Sequence, residues 1–168
     1  MTTSVANRSG LSEAQRFGLR FFALLVLASG LAWAISLPDR LGVAQRVLAG
    51  SGVWLAHLTG SRGLANGDQI VVGGLSIDIN YECTGVYVVL ILFVFLAAYP
   101  ASWRARAIGA AIGVVALTLV NVLRIAVLVR IAELAPDLFG YFHEYVWQGV
   151  FLVLVIAYAM TWVERSRA

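Results

Sequence analysis

The chain has 168 residues, 61% of them apolar and 12% charged, with a formal net charge of +3 and a mean hydropathy of +0.86. Soluble domains run nearer half apolar and a quarter charged, so a water-soluble globule, intrinsic disorder and (with Cys83 the single cysteine) an internal disulfide framework are all excluded. The basic excess comes from 12 arginines and no lysine against nine acids, and their placement beside apolar runs speaks of membrane orientation and not of nucleic acid. The expected fold is an all-α integral membrane protein in one domain, residues 1–168, with about four transmembrane helices, an extracytoplasmic amphipathic helix and a small β-hairpin.

In chain order, residues 1–20 form a cytoplasmic tail ending in Arg16 and Arg20, and residues 21–37 form the first span. A bilayer core needs roughly 20 apolar residues as helix. Ala32-Trp33-Ala34 resembles a signal-peptidase site, but the apolar run is long for a signal peptide, so an uncleaved anchor is expected. Residues 41–59 are apolar enough to span. At 100° per residue, however, Val43, Ala44, Val47, Leu48, Trp54, Leu55 and Leu58 share one sector, and Arg46 and His57 lie opposite. With Gly50-Ser51-Gly52 interrupting the run, this segment is expected to lie on the outer surface of the membrane. Over residues 69–80 the period changes to two. Leu75, Ile77 and Ile79 alternate with polar residues, and Gly73-Gly74 suits a tight turn between two strands. Residues 83–99, 105–132 and 144–163 supply the remaining spans, the last with Tyr145, Trp147 and Trp162 near its ends as in an aromatic belt.

The positive-inside rule orients these spans. With the N-terminus cytoplasmic, the inside segments carry seven arginines against Glu13 and Glu164, and the outside segments carry three against seven acids. Both termini are therefore expected in the cytoplasm. Arg124 and Arg130 fall within the third span.

Three residues on the expected outer side can carry chemistry. Cys83 reads either as a small apolar filler or as a nucleophile in the first turn of the second span, where a helix N-terminus favours thiolate. Adjacent Glu82 opposes ionisation, so a nearby cation is needed. Arg124 lies eight residues before Ala132, about 12 Å below that helix end at 1.5 Å per residue. A charge at such depth normally faces a polar cavity or a partner unless it snorkels to the interface. Asn121, three residues earlier, shares its face, which favours a polar pocket. Arg130 sits nearer the interface, suited to pair with Glu133 or lipid headgroups. His143 opens the fourth span; it is either a structural interfacial residue or a proton carrier, with Trp147 one turn on as a pocket wall or a belt residue. A nucleophile, a proton carrier and a fixed cation together are the parts of thiol acyl transfer. Cys83 would attack a peptide carbonyl, His143 would move the proton, and Arg124 would stabilise the thiolate or the oxyanion.

Glu82-Cys83-Thr84-Gly85, Asn121-Val122-Leu123-Arg124-Ile125 and His143-Glu144-Tyr145-Val146-Trp147-Gln148 resemble motifs of the exosortase/archaeosortase family of membrane cysteine transpeptidases. The closest likeness, over residues 40–163, is to the short bacterial form called exosortase H. The resemblance implies that Cys83 is the nucleophile and that Arg124 and His143 complete a triad, with Asn121, Glu82, Gly85 and Trp147 in supporting positions. It implies exported substrate proteins bearing a C-terminal tail of a short motif, one transmembrane helix and a basic cluster, cleaved outside the membrane through a thioester. Besides the substrate, membrane lipids are the expected partners, and no cofactor or metal is implied. Many family members have more spans than this chain, so a partner or a homo-oligomer is one way to complete the fold. Thr84 stands where serine is commoner.

Two further placements follow from the residues. Gly109 and Gly113 form a small-xxx-small surface on the third span, for a substrate helix or for internal packing, and the 69–80 hairpin offers an edge to an extended peptide. The competing functions are a b-type haem protein ligated by His57 and His143 and a small channel or scaffold in which Arg124 is structural. Thiol-disulfide exchange lacks a second cysteine, and metal hydrolysis lacks a ligand cluster.

Overall fold

The computed structural model describes residues 12–167. Residues 1–11, including Arg8 of the expected cytoplasmic tail, lie outside the described residues, as do Ala168 and the side chain of Arg167. Among the described residues, three helices are long and apolar enough to cross a membrane, spanning Glu13–Ala34, Trp103–Leu134 and Pro136–Ser166, and the apolar helix Val86–Ala98 is shorter.

Helix α1 (Glu13–Ala34) begins earlier than the apolar run alone indicates. Ser12 starts it with a capping box: its hydroxyl accepts from Gln15 N at 3.2 Å while its own N–H donates to Gln15 Oε1 at 2.8 Å. A left-handed Ser36 (φ +50°) and a 3-10 turn opened by Leu37-Pro38 then end the helical run.

Helix α2 (Gly42–His57) forms where the amphipathic segment was expected, and at 16 residues it is about 24 Å long. Its buried stripe differs from the expected one. Leu48, Ala49, Gly52, Val53 and Ala56 are buried, whereas Val43, Val47, Trp54 and Leu58 stay exposed. Close helix approach explains the difference: a Cβ on Gly52 would overlap Ile125 Cγ2 of α4, so Ala49, Gly52 and Ala56 let the helices meet beside buried Leu48 and Val53, and Val43, Val47, Trp54 and Leu58 point outward.

The expected two-stranded hairpin is a three-stranded antiparallel sheet, β1 (Leu64–Asn66), β2 (Gln69–Val72) and β3 (Leu75–Asp78), in the order β1-β2-β3. Gly73 and Gly74, at φ +58° and +81°, make the tight β2–β3 turn, the geometry that twist-matched hairpins require. A side chain at Gly73 would also press on Ala132 O. Ile70 and Val72 bury one face of β2 in a cluster with Val129 and Ala132, which seats the sheet on one end of α4.

The chain next makes a 3-10 turn, Tyr81–Thr84, before α3 (Val86–Ala98). Helix α4 (Trp103–Leu134), capped by Ser102, runs the length of the bundle. A 3-10 turn (Pro136–Leu138), the single turn α5 (Phe139–Tyr141) and a π-helical stretch (Phe142–Val146) lead into α6 (Trp147–Arg167). At the end away from the sheet, Gly109 and Gly113 serve internal packing: a Cβ on Gly109 would overlap Trp162 of α6, and one on Gly113 would overlap Leu92 of α3. Tyr158 donates to Gly109 O and Trp162 Nε1 to Ala105 O. The small-xxx-small surface is thus occupied by the chain's own helices.

Candidate active site

The turn holding Cys83 is built by two residues of its own sequence. Asn80 is the N-cap, its Oδ1 accepting from Cys83 N at 3.1 Å. Gly85 then takes φ +71°, a left-handed conformation that breaks the turn from α3. Cys83 therefore precedes α3 instead of occupying its first turn, and the helix N-terminus expected to favour its thiolate is not the one it sits in. Thr84 closes the turn by donating to Tyr81 O at 2.6 Å.

Asn121, 1% exposed, donates from Nδ2 to Cys83 O at 2.7 Å. It joins α4 to the Cys83 turn across 38 residues of sequence, so its part is to hold that turn, while its Oδ1 has no partner among the described residues. One turn along the same helix face, Arg124 projects between the elements with its Cζ 5.8 Å from the centre of the Phe151 ring, a cation–π distance. Its Nε is buried and finds no partner among the described residues. Arg130, by contrast, pairs with Glu133 at 2.7 Å, as expected.

His143 lies in the π-helical stretch, where Trp147 N–H reaches back to Phe142 O. Its ring stacks on Phe139 with centroids 5.7 Å apart and planes at 15°, and its Nε2 lies 3.7 Å from Cys83 Sγ. That is a sulfur hydrogen-bond distance across 60 residues of sequence. Cys83, Arg124 and His143 all line one small cavity of about 10 Å³ beneath Ile70, Ile77 and Ile79, about the space of one water. Arg124 and His143 also line a groove of about 600 Å³ between α3 and α6. Glu82, Gly85, Glu144 and Trp147 stand with them at its polar end, and Val88, Ile91, Leu152 and Val155 make its apolar remainder. Trp147 is a wall of this groove, 9% exposed, and its indole N–H has no acceptor among the described residues.

Burial pushes the Cys83 thiol up; the Arg124 charge and the hydrogen bond at Asn80 pull it back, and Glu82 adds to the rise. The net direction is upward, so the arrangement is a neutral thiol beside an imidazole base with a cation in reach, and not a stored thiolate. The geometry thus brings together the three sequence-chosen residues and Asn121, Glu82, Gly85 and Trp147. His57 is elsewhere: its Nε2 lies 2.7 Å from Gly63 O, engaged within its own turn, and it lines neither the small cavity nor the groove around His143. Shared haem ligation by this pair therefore has no geometric support. Sequence reasoning missed Asn80, Phe139 and Phe151. Only Asn80 left a signal, an N-capping residue three places before Cys83.

The description "transmembrane exosortase" matches residues 6–163 of the chain. No curated protein and no solved structure matches it. With nearly its whole length under one family model and its apolar helices in place, the chain belongs to the transmembrane exosortase family.

Proposed function

We propose that this exosortase is a cysteine transpeptidase or peptidase that cleaves the C-terminal sorting tail of exported proteins through a thioester on Cys83. The observation that carries the proposal is the 3.7 Å approach of Cys83 Sγ to His143 Nε2, beside a guanidinium that the same cavity shares. His143 takes the thiol proton as sulfur attacks the scissile carbonyl, and Arg124 balances the charge passing from sulfur to oxygen. Collapse of the tetrahedral intermediate breaks the C–N bond, and the proton on His143 goes to the departing amine of the tail. A second nucleophile, an envelope amine or hydroxyl or water, then releases the thioester and restores the thiol.

The site lies on the extracytoplasmic face of a bacterial inner membrane with both termini cytoplasmic, an orientation supported by the arginine bias of seven inside to three outside. Substrates carry a short motif, a transmembrane helix and a basic cluster, and the apolar part of the groove suits the first turns of such a helix. The test is co-expression with a tailed substrate from the same cell. Cys83→Ala and His143→Ala each abolish processing while the protein still inserts; normal processing by Cys83→Ala overturns the proposal and leaves a channel or scaffold.

A further inference from the structure

Two side chains at the polar end of the α3–α6 groove carry buried donors that find no acceptor among the described residues. The Trp147 indole N–H is buried in a residue only 9% exposed, and Arg124 Nε is buried likewise. Buried donors without acceptors are uncommon in folded proteins, and one in a site calls for an explanation. Both side chains line the groove beside His143, the residue hydrogen-bonded to Cys83 Sγ. The missing acceptor is not a phosphate or a free carboxylate, because Glu82 and Glu144 line the same end and would repel an anion. A peptide carbonyl brings no charge when it binds, and the charge it gains on attack, which Glu82 and Glu144 oppose, is what the two donors and the Arg124 guanidinium would have to hold.

We propose that the Trp147 indole N–H and the Arg124 guanidinium together form the oxyanion site, Trp147 being a catalytic residue that donates to the scissile carbonyl oxygen. As the Cys83 sulfur forms its C–S bond, the carbonyl π pair moves onto that oxygen. Trp147 and Arg124 hold the charge until the pair returns and the C–N bond breaks, the tail amine leaving with the proton from His143. The inference rests on the acyl-transfer reading of Cys83.

The test uses the purified full chain, a synthetic tailed peptide and Trp147→Phe, which keeps an aromatic ring and removes the N–H. Single-turnover thioester formation is compared with wild type, and retention of the peptide is compared between Cys83→Ala and Cys83→Ala/Trp147→Phe. The expected result is acylation about 10²-fold slower, the usual loss for one oxyanion donor, with retention unchanged. Acylation within about twofold of wild type, or equal losses of acylation and retention, overturns the assignment, because the ring then packs or binds ground-state substrate only. Should Trp147→Phe not fold, wild-type protein labelled at its indole nitrogens answers instead. Trp147 is assigned by phenylalanine replacement of Trp33, Trp54, Trp103 and Trp162 in turn, and a tail-derived peptide aldehyde supplies the tetrahedral adduct on Cys83. A downfield shift of the Trp147 N–H on adduct formation supports the proposal, and an unmoved signal overturns it. Wild type that forms no thioester or adduct takes down the acyl-transfer reading as well; wild type that reacts while Trp147→Phe keeps pace takes down the Trp147 assignment alone.

Discussion

Replacing Asn121 tests whether the Cys83 turn is held from α4. Asn121→Leu keeps the volume of the side chain and removes the 2.7 Å bond to Cys83 O. Stranding a buried carbonyl costs about 1–3 kcal/mol. Part of that returns, because the substitution also removes Asn121 Oδ1, which has no partner. A net cost of about 1 kcal/mol lowers the melting temperature by only about 2–4 °C for a chain of this size. The same bond fixes the turn from which Sγ reaches His143, so a loss of about 1.4 kcal/mol carried into the attack geometry slows acylation about tenfold. Asn121→Asp is worse on both counts. It sets a carboxylate oxygen against the Cys83 carbonyl at a position 1% exposed, where an unpaired charge costs several kcal/mol. The assay pairs single-turnover thioester formation with thermal unfolding in the same detergent. The expected order of acylation rates is wild type, then Asn121→Leu, then Asn121→Asp. An Asn121→Leu protein acylating at the wild-type rate refutes the positioning argument, and so does an Asp variant equal to the Leu variant.

Other perturbations reach different parts of the structure. Arg124→Lys keeps the charge and loses the planar guanidinium, so turnover of a tailed substrate falls about 10²-fold, as for a lost transition-state donor; full activity reduces Arg124 to a generic cation. Gly52→Ala forces a methyl into Ile125, an overpacking cost of about 1–3 kcal/mol that exceeds the roughly 1 kcal/mol a helix gains from Gly→Ala. Gly50→Ala meets nothing within 4 Å and keeps that gain, so thermal unfolding ranks Gly50→Ala above wild type and Gly52→Ala below it; equal melting of the two variants contradicts the α2–α4 contact. Because the Cys83 thiol is raised by burial and lowered by Arg124, its alkylation by iodoacetamide rises at higher pH than that of a free cysteine peptide, and Arg124→Gln moves the profile further up. A midpoint below the free peptide's contradicts the buried neutral thiol.

Legibility followed the range of the interaction. The long helices α4 and α6 are visible in the sequence because their apolar runs exceed the thickness of a bilayer core, and the β2–β3 turn because Gly73-Gly74 sits between alternating residues. Strand β1 is three residues, Leu64–Asn66, too short for a period to show. The face of α2 was misjudged because sector analysis weighs bulky residues, whereas close helix approach selects Gly52 and Ala56, leaving Trp54 and Val47 outward. At the site, Cys83, Arg124 and His143 stood out as chemistry out of place in apolar runs. The bond from Asn121 to Cys83 O, the Phe151 ring under Arg124 and the orphaned Trp147 N–H depend on α3, α4 and α6 coming together, and no local pattern records that. The 3-10 turn at Cys83 was open to reading, since Asn80 and Gly85 punctuate it at both ends, but the apolar residues beyond drew the helix boundary too early.

Intact-mass analysis of the purified chain, quenched in acid during reaction with a tailed substrate and then treated with neutral hydroxylamine, separates acyl transfer on Cys83 from every alternative. An adduct of the mass of the trimmed substrate, mapped to Cys83, released by hydroxylamine and missing from Cys83→Ala, is the expected result. Trimmed substrate produced with no adduct on Cys83, or an adduct that persists in Cys83→Ala, contradicts it.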